Sequence, residues 1–235
     1  GTALARLSHA NIGRLLDAGV TGSGQPYLVL EYVDGVSITH FADDGRLDIS
    51  ARLRLLLQVA DAVAHAHANL VVHRDLKPSN VLVDASGQVR LLDFGIAKLL
   101  ADGDTDHDGP AARTDPAFTP AFAAPEQLTG ADITVAADVF ALGTLLYLLM
   151  AGRHPAEPAL DSPADLMRTI AEAEPPLLSV RAGDHDPRLS SDPAAIAHAR
   201  ATTPGRLRAR LRGDLDTIAA TALKRRPAER YSAVN

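Results

Sequence analysis

"VVHRDLKPSNVLVD", residues 71–84, places an Asp, a Lys two positions later and an Asn three positions after that between two apolar runs. A core strand does not interrupt itself this way, because every buried polar group must find a partner. The interruption reads as a site, with Asp75, Lys77 and Asn80 in a turn and the flanking apolar runs as anchors. A further carboxylate, Asp93, closes the next run, "VRLLD" (89–93). Moving a phosphoryl group requires positioned metal ions, a group that orients the attacking hydroxyl and cations for the charge in transit. Mg²⁺ takes hard oxygen ligands, usually one or two side chains plus phosphate oxygens. In this set Asp75 is suited to accept the hydroxyl proton and Lys77 to meet the γ-phosphate. The Asn80 amide oxygen and the Asp93 carboxylate are suited to hold the metal.

Composition sets the outer limits. The 235 residues carry a formal net charge of −6, which argues against a broadly basic nucleic-acid binder. There is no cysteine, which excludes disulfides and Cys-based zinc sites. The longest apolar stretch, "VFALGTLLYLLMAG" (139–152), falls short of the roughly 20 residues that span a bilayer and reads as a buried helix. The sequence opens at Gly1 without a signal-peptide pattern and stops at "RYSAVN" inside a helical pattern. Both ends look cut from a longer protein.

Along the chain, Leu4–Leu16 reads as a helix end that breaks at "SHAN" and leads into a strand. "PYLVLEYV" (26–33) reads as a strand, with "TGSGQP" before it as a hairpin turn. Ile49–Asn69 is strongly helical, with Leu53, Leu56, Leu57, Ala60, Val63, Ala64 and His67 at helical spacing. "LVVH", "NVLV" and "VRLLD" read as three short strands, and "DASG" (84–87) divides the last two. Residues 99–118 read as a mobile loop. Helices are expected at about 134–151, 163–173 and 213–224, with a Pro- and Arg-rich insertion between the last two. The fold class is α+β, mostly helical, with a small strand-bearing N-terminal part.

"HRDLKPSN" (73–80), "DFG" (93–95) and "APE" (124–126) together resemble the eukaryotic-type (Hanks-type) protein kinases, most closely the bacterial serine/threonine kinases. The resemblance covers nearly the whole chain. It implies a protein-kinase-like fold, with residues 1–33 as a remnant of the N-terminal lobe (end of helix C, strands 4–5, hinge). Residues 34–235 would form the C-terminal lobe, with the catalytic loop at 73–80 and the activation segment at 93–126. It implies Asp75 as catalytic base, Lys77 as phosphate contact, and Asn80 and Asp93 as ligands of Mg²⁺ or Mn²⁺. "LEYV" (30–33) would be the adenine-binding hinge, with Leu30 as gatekeeper, Glu31 and Val33 beside it and Leu82 below the ring. His73 and Phe94 would stack with Leu15 and Leu4. "TPAFAAPE" (119–126) would dock substrate, with Thr119 facing Asp75 and Lys77. Glu126 would pair with Arg230, and Asp138 would hold the catalytic loop and accept from His67. Arg74 before the base, with Thr114 or Thr105 as a phosphosite, resembles kinases switched on by a loop phosphate.

The function so implied is ATP-dependent transfer of the γ-phosphate to Ser or Thr hydroxyls of a protein substrate. The implied location is the cytoplasm, or the cytoplasmic face of a membrane if the full-length protein is anchored by a segment elsewhere. Three parts of the family pattern are missing: the Gly-rich loop, the strand Lys and the helix Glu. The first Lys is Lys77 and the first Glu is Glu31. Residues 1–235 by themselves are therefore expected to bind ATP weakly and turn over poorly. The alternative is a pseudokinase-like interaction module that binds partners without catalysis. Among lesser features, His65 and His67 do not face each other on a helix, which speaks against a metal site. "RLRARLRGD" (206–214) reads as a solvated arginine face over a buried Leu207, Leu211, Leu215 and Ile218 stripe. "DGDTDHDG" (102–109) reads as an acidic loop and not a calcium site.

Overall fold

The computed structural model describes residues 7–23, 26–94, 120–157 and 162–234. Leu4, Gly95, Thr105, Thr114 and Thr119, and with them the loop at 99–118, lie outside the described residues. Two strands, β1 (Leu15–Val20) and β2 (Pro26–Leu30), pair antiparallel, with Leu15 opposite Leu30 and Val20 opposite Pro26. A second antiparallel sheet has the order β3 (Gly35–Ser37), β4 (Val81–Asp84), β5 (Val89–Leu91). Residues 11–13 cover the free edge of β5. Ile12 bridges Leu91, the Leu91 N–H donates to Asn11 O at 2.8 Å, and the Gly13 N–H donates to Leu91 O at 2.8 Å. An edge so covered offers no template to another chain.

Helices make up most of the remainder. They are α1 (Ile38–Asp44), α2 (Ile49–Ala68), α3 (Pro125–Thr129), α4 (Val135–Ala151), α5 (Pro163–Glu172), α6 (Leu178–Arg181), α7 (Pro193–Ala199), α8 (Pro204–Leu211) and α9 (Asp214–Ala222). Helix α4 is the axis of the core. Thr134 caps its start by accepting the Ala136 N–H, and Gly152 ends it in the left-handed region at φ 70°. Nearly every side chain from Ala136 to Ala151 is buried, which explains an apolar run without a polar face. A Cβ on Gly143 would sit 2.8 Å from the Ala222 Cβ, so this glycine permits the close approach of α4 and α9.

Two buried arginines close the C-terminal end of α4, where helix carbonyls lack intrahelical donors. Arg200 donates to Met150 O at 2.7 Å and Leu148 O at 3.0 Å, and Arg52 donates to Leu149 O at 3.3 Å. Asp43 pairs with Arg52 at 2.7 Å. Burial, and then the charge of Arg52 alongside, pulls Arg200 down to about 10. Both arginines remain cations at neutral pH, the favourable charge for a helix C-terminus.

The strand expected at 70–73 does not form. Leu70 turns out of α2 at φ 60°, and the His73 N–H donates to the Asp138 carboxylate instead of a strand partner. The strand read over 26–33 stops at Leu30. Helix α2 is found where periodicity places it, but its buried face runs through Arg52, Leu55, Val59, Ala62, Val63 and Ala66. Leu57, expected on the inward stripe, is exposed. The insertion between α5 and α9 contains three helices, each opening on or next to a sequence position where a proline or leucine follows a loop residue. Leu207 and Leu211 are buried and Leu215 packs against the core, whereas Ile218 points outward. Among the described residues no helix is long and apolar enough to cross a membrane.

The one-turn helix at Pro120–Phe122 is held from beneath by His154, whose Nε2–H donates to Ala121 O at 2.7 Å. Nδ1 accepts the Ala156 N–H at 3.1 Å, so the ring is neutral and its tautomer fixed. Burial lowers its pKa from 6.5 to about 4. Between those values the unfolded chain takes up a proton that the folded chain refuses. Stability therefore falls as pH drops from about 6.5 to about 4, by on the order of 3 kcal/mol from this group. His73, also lowered by burial, acts in the same direction. In urea titrations from pH 7 to pH 4.5, His154→Gln should lose this part of the pH slope while retaining an N–H for Ala121. A slope identical in both proteins would show that His154 is not its source.

Candidate active site

The loop after α2 is built around one buried carboxylate. Asp138, in the first turn of α4, accepts the His73 N–H at 2.8 Å, the Arg74 N–H at 2.9 Å and His67 Nε2 at 2.7 Å. It lies at the helix N-terminus, where negative charge is favoured. These bonds hold Arg74 at φ 65°, a conformation that a non-glycine residue keeps only when its surroundings enforce it. The tight bend delivers Asp75 to the surface of the loop, half-buried.

Three of the four side chains singled out in the sequence meet directly. Lys77 Nζ lies 2.8 Å from Asp75 Oδ2. Asn80 Nδ2 donates to the Asp75 backbone oxygen at 2.8 Å and to its Oδ2 at 3.0 Å. The Asn80 nitrogen is thus committed, and its amide oxygen is the atom left to offer a cation. Asp93 joins them through its neighbour. The Leu92 N–H donates to Asn80 O at 2.8 Å, and Leu92 O accepts from His73 Nε2 at 2.9 Å. Asp93 then turns at φ 54° with its side chain exposed, and Phe94 folds back onto His73 at 4.6 Å between ring centroids. His73 Nδ1 accepts the Asp75 N–H at 3.3 Å, so this ring is also neutral, in keeping with its burial-lowered pKa.

Residues 30–33 run from the end of β2 towards β3. Leu30 ends β2 opposite Leu15, the Glu31 N–H donates to Arg14 O at 2.9 Å, and Val33 is half-buried. Two residues later the chain enters β3, where Ser37 pairs with Leu82 of β4. β4 itself starts directly after Asn80, so Leu82 lies two residues from the polar cluster. Among the described residues no hydrogen bond or ion pair joins Leu30, Glu31 or Val33 to Asp75, Asn80 or Asp93.

Glu126 and Arg230 form a buried, two-pronged pair at 2.6 and 2.8 Å. Arg230 also donates to Lys224 O, Ala136 O and Arg225 O, and lies 5.0 Å from the centroid of the Phe140 ring. Two contacts went unseen in the sequence. Asn11, read as part of a break, donates to Val89 O at 3.0 Å and Gln58 Oε1 at 2.9 Å and so fixes residues 11–13 on β5. Gln127 donates to Arg74 O at 2.8 Å, from α3 to the bent loop. His65 packs its ring on His9 at 5.0 Å, and among the described residues no cluster of three or more His, Asp or Glu could hold a metal unaided. The Asn80 amide oxygen and the Asp93 carboxylate are hard oxygen donors, a type that suits a hard cation drawing its other ligands from phosphate and water.

Residues 2–234 match the family model described as the protein kinase domain. The chain is 36% identical over 155 residues, 65% of its length, to a probable serine/threonine-protein kinase PknB of Lactococcus lactis. It is 35% identical over 150 residues to the serine/threonine-protein kinase PrkC of Bacillus subtilis. It is 42% identical over 156 residues to the serine/threonine-protein kinase PkaA of Streptomyces coelicolor. The matched stretch is 24%, 22% and 28% of those three relatives, respectively. With the family model matching almost end to end, the chain belongs to the protein kinase domain family.

Proposed function

We propose that the site transfers the γ-phosphate of ATP to Ser or Thr hydroxyls of a protein substrate. The observation that supports this reading most is the Asp75 carboxylate held between Lys77 Nζ at 2.8 Å and Asn80 Nδ2 at 3.0 Å, with Asp93 attached through Leu92. Asp75 accepts the hydroxyl proton as the substrate oxygen forms its bond to the γ-phosphorus and the bond to the β-phosphate bridging oxygen breaks, leaving ADP. Lys77 offsets charge on the moving group. Asn80 through its oxygen, and Asp93 through its carboxylate, would hold Mg²⁺ or Mn²⁺, which when bound neutralises the phosphates. Leu30, Glu31, Val33 and Leu82 would receive the adenine.

Thr119, Arg74 and Thr114 would serve substrate docking and loop phosphorylation. A lysine two places after the base resembles the serine/threonine pattern and supports aliphatic hydroxyls over phenols as acceptors. A cytoplasmic active domain accords with the need for ATP. The divisions at 1–33 and 34–235 are proposed as the two lobes.

Asp93→Asn tests the metal assignment. In the native full-length protein, saturating Mg²⁺–ATP should raise the melting temperature of wild type, because a ligand at about 100 times its Kd adds roughly 2.7 kcal/mol. The variant should lose most of that rise and roughly a hundredfold or more in kcat. An equal thermal shift in both proteins would remove Asp93 as a ligand.

A non-catalytic interaction module is the second reading. Phosphate transfer by the full-length protein that is lost on changing Asp75 decides against it.

A further inference from the structure

Gln127 follows the Glu126 that anchors α3, and its side chain reaches the opposite way, to the loop carrying Asp75. Nε2 donates to Arg74 O at 2.8 Å across 53 positions of sequence, and Oε1 accepts the Ala124 N–H at 2.9 Å. The two contacts fix the amide's sense, since a flip would set oxygen against oxygen and N–H against N–H. Arg74 C=O and Asp75 N–H belong to a single peptide plane. One edge of that plane accepts from Gln127, and the other donates to His73 Nδ1 at 3.3 Å. The preceding plane is pinned by Asp138 through the Arg74 N–H. With Arg74 at φ 65°, this backbone stays in place only while such restraints hold it. If one restraint is lost the plane can rotate, and the Asp75 side chain rotates with it.

We propose that Gln127 is a positioning residue for phosphoryl transfer, coupling the start of α3 to the Asp75 carboxylate through the Arg74–Asp75 peptide plane. The inference rests on the reading of the site given above. The far end of the tether is firm, because the adjacent Glu126 is locked onto Arg230. A displacement of residues 124–127 would therefore reach Asp75 through this amide.

The test uses the native full-length protein as wild type, Gln127→Met, Gln127→Glu and Asp75→Asn, with a serine peptide as acceptor. Gln127→Met keeps volume and removes both amide contacts. Its kcat should fall about tenfold, with KM for ATP nearly unchanged and hydrogen exchange faster at residues 73–76. Its melting temperature should move by only a few degrees. In Gln127→Glu the carboxylate opposes the Arg74 carbonyl, but once protonated it can donate again. The half-buried site and the opposing carbonyl raise the pKa of that carboxyl, so its rate relative to wild type should rise severalfold from pH 8 to pH 5.5. His67, His73, Arg74, Asp75, Lys77, Glu126, Asp138 and Arg230 surround the loop in both proteins, which is why the rate is read as a ratio to wild type. An unchanged kcat in Gln127→Met, a loss fully accounted for by unfolding, or a pH-independent ratio would overturn the coupling. Wild type that transfers no phosphate, or an active Asp75→Asn, would overturn the reading of the site instead.

Discussion

Asp75→Asn should lower kcat about a thousandfold while leaving the fold and nucleotide affinity in place. General bases contribute roughly 10²–10⁴ in rate, and an amide cannot accept the hydroxyl proton. The replacement is nearly isosteric. Its side-chain oxygen can still accept from Asn80 Nδ2, which now lies 3.0 Å from the carboxylate. Lys77 loses its anionic partner at 2.8 Å, which leaves its charge free for phosphate. KM for ATP should therefore not rise. The side chain is only partly buried, so the melting temperature should shift by no more than a few degrees. Steady-state kinetics and calorimetry on the full-length protein measure both quantities. Turnover within about tenfold of wild type would show that another group takes the proton.

Arg230→Met should produce the largest loss of stability, about 3–5 kcal/mol. The guanidinium is fully buried and makes five hydrogen bonds, two to Glu126 and three to backbone carbonyls. Methionine fills much of the space but leaves the Glu126 carboxylate, 6% exposed, without its counter-ion. That stranded charge dominates the cost. At roughly 2–4 °C per kcal/mol for a domain of this size, the melting temperature should drop about 10 °C. The double change Glu126→Met, Arg230→Met should recover part of the loss, because removing both charges ends the desolvation penalty. The carbonyls of Lys224, Ala136 and Arg225 remain short of a donor, so recovery should stop short of wild type. Thermal melts of the single and double variants decide this. A double variant less stable than Arg230→Met would show that the stranded carboxylate is not the source of the loss.

The helices α2, α4, α5 and α9 and the hairpin β4–β5 were legible in the sequence because their signals are local. Periodicity, capping Thr134, the left-handed Gly152 and the Asp84–Gly87 turn all act within a few residues. The run at 70–73 misled because valines favour strands, and nothing nearby announces that Asp138 will take the His73 and Arg74 N–H groups from 65 and 64 residues away. Leu57 misled in a similar way. A helix rich in leucine offers several plausible inward faces, and the neighbours choose one. In the insertion after α5, short helices gain little from propensity and exist because Leu178, Ile196, Leu207 and Leu211 are buried by other elements.

For the proposed site, Asp75, Lys77, Asn80 and Asp93 were singled out from the sequence alone. Residue type and close spacing already limit which atoms a single turn can bring together. Tertiary structure decided how they are held. Asp138 enforces the bend, Leu92 carries Asp93 to Asn80, Arg230 meets Glu126 across 104 positions, and Gln127 reaches Arg74 across 53. Such meetings depend on how helices and sheets pack, and a buried polar group finds its partner only after that packing has set the distances.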